Sequence, residues 1–207
     1  MRLADAVSLR SRRRKLDLFL ETIGPTPATT VLDVGVDDFG FGEAGAAAHG
    51  GCATLNFFEQ HYPWPDQVTA LGQHAGDRFR ERYPRTAYVQ GDALDLPFPD
   101  GSFDVFYSNA VIEHVGPRDV QRRFVDEALR VAGRVFVTTP NRWFPVEVHT
   151  RLPLVHWLPE PAAHRVYDTL RKPWAKENHL LGPGELARLF PQEVRVVNLG
   201  LTLVAIV

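Results

Sequence analysis

Residues 31–45, "VLDVGVDDFGFGEAG", join an apolar run to a glycine-containing loop. In an open parallel sheet, ligands bind beyond the carboxyl ends of the strands, so the loop after Gly35 is the first place to expect chemistry. A phosphate-binding loop presents bare backbone there, whereas this chain has Asp37 and Asp38. At a dielectric of ~20, each carboxylate would repel a nearby phosphate by on the order of several kcal/mol. The loop therefore favours a cationic ligand without phosphate.

The elements that would position this loop form a repeating pattern of strands and helices. Short apolar or β-branched runs that do not alternate with polar residues indicate strands covered on both faces, as in a parallel sheet. These runs are residues 29–35, 67–72, 86–92, 102–111 and 133–140. Helical patterns lie between them, at residues 52–62, 76–83 and 118–132. The sequence thus predicts an α/β fold of the doubly wound type.

Two parts of the chain depart from this alternation. Residues 193–200 and 201–207 are adjacent strand-like runs with room only for a tight turn, which predicts a terminal antiparallel hairpin. Between residues 141 and 182 the periodicity fails and tryptophans and prolines appear, which indicates an insertion over one edge of the sheet. We therefore expect one domain, residues 1–207, with a lid or substrate insertion at 141–182.

Composition excludes several classes of function. The chain has 207 residues, a formal net charge of −2 and a pI near 6.4, which does not favour a nucleic-acid binder that works through a basic face. The locally basic stretch from Arg10 to Leu20 is interpreted as a solvated helix with Leu16, Phe19 and Leu20 facing inward, and a patch for nucleic acid or an anionic membrane surface is the alternative. One cysteine excludes an internal disulfide framework, and no apolar run reaches bilayer length, so a cytoplasmic location is expected without stable membrane insertion.

Three stretches resemble the class I S-adenosylmethionine-dependent methyltransferases, in particular the type 11 group. They are "VLDVG" (31–35), "GDALDLPFPDGSFDVFYSNAVIEHV" (91–115) and "GRVFVTTPNRWFP" (133–145). The resemblance implies a Rossmann-like sheet of seven strands in the order 3-2-1-4-5-7-6 with the last strand antiparallel. It also implies S-adenosylmethionine as the cofactor, whose sulfonium and amino groups suit the acidic loop.

The resemblance assigns cofactor-binding roles to individual positions. Asp33 and Gly35 would shape the methionine end of the pocket, Asp92 and Ala93 would contact the adenine, and Asn109 and Ala110 would lie under the sulfonium. Two polar residues, Gln73 and His74, stand where the family has a ribose-binding acid. With these and the loop acids, the predicted cofactor-binding residues are Asp33, Gly35, Asp37, Asp38, Gln73, His74, Asp92, Ala93, Asn109 and Ala110.

Two histidines are candidates for removing a proton from the methyl acceptor. His114 closely follows the fourth strand and His149 lies in the insertion that would overhang the same edge, and histidine suits this task near neutral pH. A surface or supporting role for either histidine stays open. The predicted acceptor contacts are Glu113, Trp143, Phe144 and Glu147. No H-E-x-x-H motif is present, so no metal site is predicted.

The leading hypothesis is therefore methyl transfer to a small, partly apolar acceptor such as a natural product or a lipid-type molecule. Two alternatives stay open, because the glycine loop and the ribose position both differ from the family pattern. One is a non-catalytic binding module with the same fold, and the other is an enzyme of that fold that runs a different reaction. The acceptor, the methylated atom and the oligomeric state do not follow from the sequence.

Overall fold

A seven-stranded sheet forms the centre of the computed structural model, which describes residues 3–36 and 56–207. The strand order is β3-β2-β1-β4-β5-β7-β6, as the resemblance implied. The strands are β1 (Val31–Val34), β2 (Val68–Gly72), β3 (Ala87–Gln90), β4 (Phe103–Asn109), β5 (Ala132–Pro140), β6 (Arg195–Asn198) and β7 (Thr202–Ile206). The first five run parallel, and β7 is antiparallel to both β5 and β6. The predicted doubly wound fold is confirmed.

The predicted terminal hairpin is also present. The backbone N–H of Leu199 donates to the carbonyl of Thr202 at 2.9 Å, and Gly200 has a φ of 86°, a conformation that glycine adopts without steric cost. The turn therefore lies where the sequence left room for it.

Helices cover both faces of the sheet. They are α1 (Leu3–Ile23), α2 (Phe57–His61), α3 (Asp77–Arg82), α4 (Arg118–Val131), α5 (Glu160–Thr169) and α6 (Pro183–Ala187). One apolar core joins Leu32, Phe106 and Phe124 on the face covered by α4 and α6. The other joins Val31, Phe58 and Phe136 beneath α1 and α2. Because both faces of the sheet are covered at β1, all four residues of this strand are buried.

Helix α1 docks through aromatic contacts. Leu16 and Phe19 are buried as predicted, and Leu20 is half-buried. The ring of Phe19 makes edge contacts with Phe58, Tyr107 and Phe136 at centroid distances of 5.2–5.3 Å. Such pairs add about 0.5–1.5 kcal/mol each to the burial of their surface. The amino-terminal helix is therefore an integral part of the core.

Helical periodicity predicts an apolar, buried face of α4 made of Val120, Phe124, Ala128, Leu129 and Val131, and the structure agrees with this only in part. Phe124, Ala128 and Val131 are fully buried as expected, but Val120 and Leu129 are only half-buried. In their place Val125 and Gln121 are buried. The Gln121 amide donates to the carbonyls of Ile112 and His179 at 3.0 and 2.9 Å, so this polar side chain joins the segment after β4 to the segment after β5.

Residues 141–182 combine short helical elements with turns and irregular backbone, and they have a small core of their own. Besides α5 they contain 3-10 turns at Val155–Trp157 and Pro173–Glu177. Ala163, Tyr167 and Ala175 are the buried residues of this small core. Several large apolar side chains of this segment are exposed, among them Trp143, Val146, Leu154, Trp157 and Leu158. A search of the described helices finds none with the length and apolar character that crossing a bilayer requires.

Candidate active site

The carboxyl ends of β1 and β4 meet at Gly35. Gly35 has a φ of 99°, and its N–H donates to the carbonyl of Leu71 at 2.9 Å. A Cβ atom at this position would lie 2.1 Å from Cγ2 of Val111, which follows β4. Glycine is therefore required here both by the backbone conformation and by the packing of the two strand ends.

This contact predicts a large stability loss for Gly35→Ala. Strain at positive φ and overlap with the stiff Val111 side chain together should lower the free energy of unfolding by about 3 kcal/mol, measured by urea denaturation. Gly101→Ala is the matched control, because Gly101 has a φ of 64° but nothing within 4 Å of its added Cβ. It should cost only about 1 kcal/mol. Equal losses in the two variants would show that the Val111 contact contributes nothing.

A pair of buried carboxyl groups lies at β1. Asp33 and Glu59 are 5% and 6% exposed. Burial, together with the charge of Glu59, holds the pKa of Asp33 well above its ordinary value. Burial also raises the pKa of Glu59, whose two carboxylate oxygens have no hydrogen-bond partner among the described residues. The two carboxyl groups therefore hold protons to a higher pH than free carboxyl groups do, because burial disfavours their charged forms.

The end of β4 is tied to α1 and to β5. Oδ1 of Asn109 accepts hydrogen bonds from Nζ of Lys15 at 2.5 Å and from the Thr138 hydroxyl at 2.9 Å. The next residue, Ala110, has a φ of 60°, an uncommon conformation for a residue with a side chain. Burial and the nearby Arg12 lower the pKa of Lys15 to about 7, while Glu113 acts in the opposite direction. A partly neutral lysine thus lies at the strand end predicted to face the reacting centre.

The residues predicted for acceptor chemistry come together just beyond this point. Nε2 of His114 and Nε2 of His149 each lie 3.8 Å from Oε1 of Glu113, and the two imidazole rings are 4.8 Å apart. Glu147 joins the group because its Oε1 lies 2.7 Å from Nδ1 of His149. We call Glu113, His114, Glu147 and His149 the histidine cluster. His114 is its most open member, with 44% of its side chain exposed.

Charge is unevenly distributed within the histidine cluster. Burial opposes protonation of His149, but the hydrogen bond to Glu147 and the charges of Glu113 and Glu147 outweigh it and raise the pKa of His149. Burial opposes ionisation of Glu147 as well, yet His149 and two backbone N–H groups, those of His149 and Thr150, lower its pKa to about 2. His149 is therefore held firmly against Glu147, and His114 is the more open of the two histidines towards an incoming molecule.

The predicted adenine and ribose contacts lie at the ends of β2 and β3. Gln73, His74 and Asp92 are exposed and Ala93 is half-buried. Asp92 accepts a hydrogen bond from the N–H of Leu94 at 2.9 Å, which fixes the turn after β3. Tyr88 supports the loop that carries Gln73 and His74 by donating its hydroxyl to the His74 carbonyl at 2.8 Å. These residues lie at the carboxyl ends of their strands, and their contact with the cofactor stays a prediction.

Other predicted site residues are not part of the histidine cluster. The Trp143 side chain is 58% exposed and lies near Arg142, Gly182 and Trp157. Phe144 is half-buried next to it in the chain. Asp37 and Asp38 lie outside the described residues, so their predicted contact with the cofactor stays a prediction.

Sequence reasoning did not single out Lys15 or Glu59. Lys15 lies four residues before Phe19, and this spacing places it on the inward face of α1. The many basic residues around it made this position easy to overlook. Glu59 directly follows the apolar pair Phe57 and Phe58, which are both buried in α2. A charged residue on a buried helix face is uncommon and could have marked both positions.

Comparison with known proteins agrees with this architecture. A family model described as a methyltransferase domain, type 11, matches residues 47–134. A Mycobacterium tuberculosis protein named "Probable S-adenosylmethionine-dependent methyltransferase" is 46% identical over 66 residues, which are 30% of this chain and 23% of that protein. Ajmaline N-methyltransferase of Rauvolfia serpentina is 42% identical over 48 residues, 23% of this chain and 16% of the plant enzyme. The chain thus spans about a quarter or less of the length of these relatives.

Solved structures share the fold over most of the chain. A SAM-dependent methyltransferase from Methanosarcina mazei superposes with a TM-score of 0.52 at 17% identity, covering 88% of this chain and 92% of that one. Sheet order, family model and relatives agree in their similarity to the class I S-adenosylmethionine-dependent methyltransferases. The resemblance stated from the sequence is confirmed.

Proposed function

We propose that the protein transfers a methyl group from S-adenosylmethionine to a small-molecule acceptor that enters beside the histidine cluster. The observation that carries the proposal is the convergence of a buried acidic pair at β1 and the histidine cluster after β4 at one end of a methyltransferase-type sheet. The names of the relatives support the cofactor and the reaction, and ajmaline N-methyltransferase supports a small acceptor.

The residues at the strand ends fit this cofactor by their charge and shape. The buried Asp33–Glu59 pair would be stabilised in a charged form by an ammonium or sulfonium group and would disfavour a phosphate. Gly35 lets backbone approach closely at the end of β1. Asp33, Gly35, Asn109 and Ala110 would hold the methionine end, and Gln73, His74, Asp92 and Ala93 the nucleoside. When bound, the cofactor supplies a methyl group that its sulfonium already activates.

The protein's own contribution would be alignment and proton handling. Alignment of two reactants can supply about 7–11 kcal/mol of barrier reduction. The histidine cluster would accept the proton that leaves an acceptor hydroxyl or amine. Within this cluster His114 is exposed, and Glu147 holds His149 in a fixed orientation. Residues 141–182 would act as the lid, since His149 from this segment contacts the Glu113 side chain.

The first test is cofactor binding. Mass spectrometry of the gently purified protein should detect S-adenosylhomocysteine, and calorimetry should give one site for it per chain. If neither S-adenosylmethionine nor S-adenosylhomocysteine binds at millimolar concentration, the proposal is wrong.

Turnover with a panel of small acceptors separates the remaining functions. Methyl transfer predicts a product heavier by one methylene unit. Cofactor binding without any modified product would favour the binding module, and a product without that gain would favour other chemistry. His114→Ala should lower kcat by about 10²–10⁴-fold with little change in cofactor affinity. His164→Ala, at a half-buried position of α5 outside the histidine cluster, should change neither.

A further inference from the structure

We propose that Glu113, His114 and His149 form a binding site for a divalent transition-metal ion. The three residues come from two segments, one directly after β4 and one after β5. One potential ligand atom from each lies within 4.8 Å of the others, and within the described part of the chain this is the one such group. Oε1 of Glu113 is central, at 3.8 Å from Nε2 of each histidine.

The carboxylate of Glu113 is buried, and only one of its two oxygens accepts a hydrogen bond from the described residues. Its side chain is fully buried, and Oε2 accepts a hydrogen bond from the Thr139 hydroxyl at 3.0 Å. Oε1 is buried without any hydrogen-bond partner among the described residues. Leaving a charged oxygen unsatisfied in the interior is costly, and both histidine nitrogens are too distant to donate to it. A cation between the three atoms would remove this cost.

Glu147 prepares His149 to act as a ligand. Oε1 of Glu147 lies 2.7 Å from Nδ1 of His149, so Nδ1 carries the proton that is donated to the carboxylate. Nε2, which faces Glu113, can then present its lone pair to an ion. The N–H groups of His149 and Thr150 hold Glu147 in place at 3.0 and 2.6 Å. A carboxylate that orients a metal-bound histidine in this way is a recurrent feature of protein metal sites.

The geometry requires a contraction of the group by roughly 1 Å at its widest separation. Bonds of about 2.0–2.2 Å to nitrogen and oxygen place neighbouring ligand atoms roughly 3.0–3.5 Å apart. Here each histidine nitrogen lies 3.8 Å from Oε1 of Glu113, and the three ligand atoms lie within 4.8 Å of one another. The half-exposed His114 has room to make this movement. Two imidazoles and one carboxylate suit Zn²⁺, Fe²⁺ or Co²⁺ better than Mg²⁺ or Ca²⁺. Motif reasoning did not find the site because its ligands lie 35 residues apart along the chain.

An ion at this position would take part in acceptor chemistry. It would polarise a bound acceptor oxygen and lower the pKa of a hydroxyl, which makes the proton easier to remove at neutral pH. This role rests on the proposed function, whereas the binding of the metal does not.

Metal binding is tested directly, without cofactor or acceptor. Chelator-treated protein is titrated with Co²⁺ and followed by visible absorption, and Zn²⁺ is then added to displace it. We expect one equivalent per chain. His114→Ala, His149→Ala and Glu113→Gln should each weaken Co²⁺ binding by about 100-fold, and Glu147→Gln by about tenfold. Circular dichroism and thermal melting confirm the fold of each variant.

The matched control is His164→Ala. Nε2 of His164 lies 3.8 Å from Oε1 of Glu160, the same separation as in the proposed site, but this pair is on the surface of α5. Its loss should leave Co²⁺ binding unchanged. The proposal is overturned if the parent protein binds no Co²⁺ at millimolar concentration, if the ligand variants bind as the parent does, or if His164→Ala removes the same binding.

Should Glu113→Gln fail to fold, the two histidine variants decide the question, and His114→Ala is the safer because that side chain is 44% exposed. Metal binding without methyl transfer would contradict only the proposed function. Methyl transfer by a protein that binds no metal would contradict only the metal site.

Discussion

The Glu59→Gln variant is expected to be more stable than the parent protein above about pH 6 and to bind S-adenosylmethionine at least tenfold more weakly. Asp33 and Glu59 are both buried, and each has a raised pKa because burial disfavours the charged form. In the native state they hold a proton that the unfolded chain releases near pH 4. The native state therefore binds more protons, and stability falls as pH rises from that value towards the raised pKa.

Replacing Glu59 with the neutral isostere removes the buried charge and much of this loss. The gain in free energy of unfolding should be on the order of 1–3 kcal/mol at pH 8 and much smaller at pH 4. Urea denaturation at the two pH values measures it, and calorimetry measures cofactor affinity. Glu81→Gln, at an exposed position of α3, is the control and should change neither quantity. A stability gain without loss of affinity would show that the acidic pair does not serve the cofactor.

The sheet was predictable from sequence because each strand carries its own local signal. The parallel strands are short apolar runs, and the hairpin follows from two such runs separated by Asn198, Leu199 and Gly200. The meeting of His114 and His149 was predictable as well. Residues that follow β4 and β5 must lie at the same edge of a parallel sheet, and the two rings are in contact there.

Buried charges were less predictable, because each depends on a partner far away in sequence. Lys15 meets Asn109 across 94 residues, and Glu59 meets Asp33 from a helix that local composition describes only as apolar. Gln121 is buried for the same reason, since its amide joins two backbone carbonyls from separate segments. Periodicity indicates which face of an element is apolar, but it does not identify the polar side chain that completes a tertiary network.

Lys15→Met is expected to abolish a pH-dependent part of the protein's stability. The pKa of Lys15 is lowered from 10.5 to about 7, first by burial and then by Arg12, with Glu113 opposing. Between these two values the unfolded chain holds a proton on Lys15 that the native state has released. The unfolded state therefore binds more protons, so this contribution to stability increases as pH rises from about 7 to 10.5. From pH 7 to pH 9 it should amount to about 2 kcal/mol.

The difference in free energy of unfolding between the parent and Lys15→Met isolates this contribution, since other titrating groups are common to both proteins. The parent should gain about 2 kcal/mol relative to the variant between pH 7 and pH 9, measured by urea denaturation. Arg14→Met, at an exposed position of the same helix, should show no such relative change. If the gap between parent and Lys15→Met is constant over this range, Lys15 remains charged in the native state. Its hydrogen bond to Asn109 would then be that of an ammonium group, and α1 would place a positive charge at the strand end where the cofactor's sulfonium is expected.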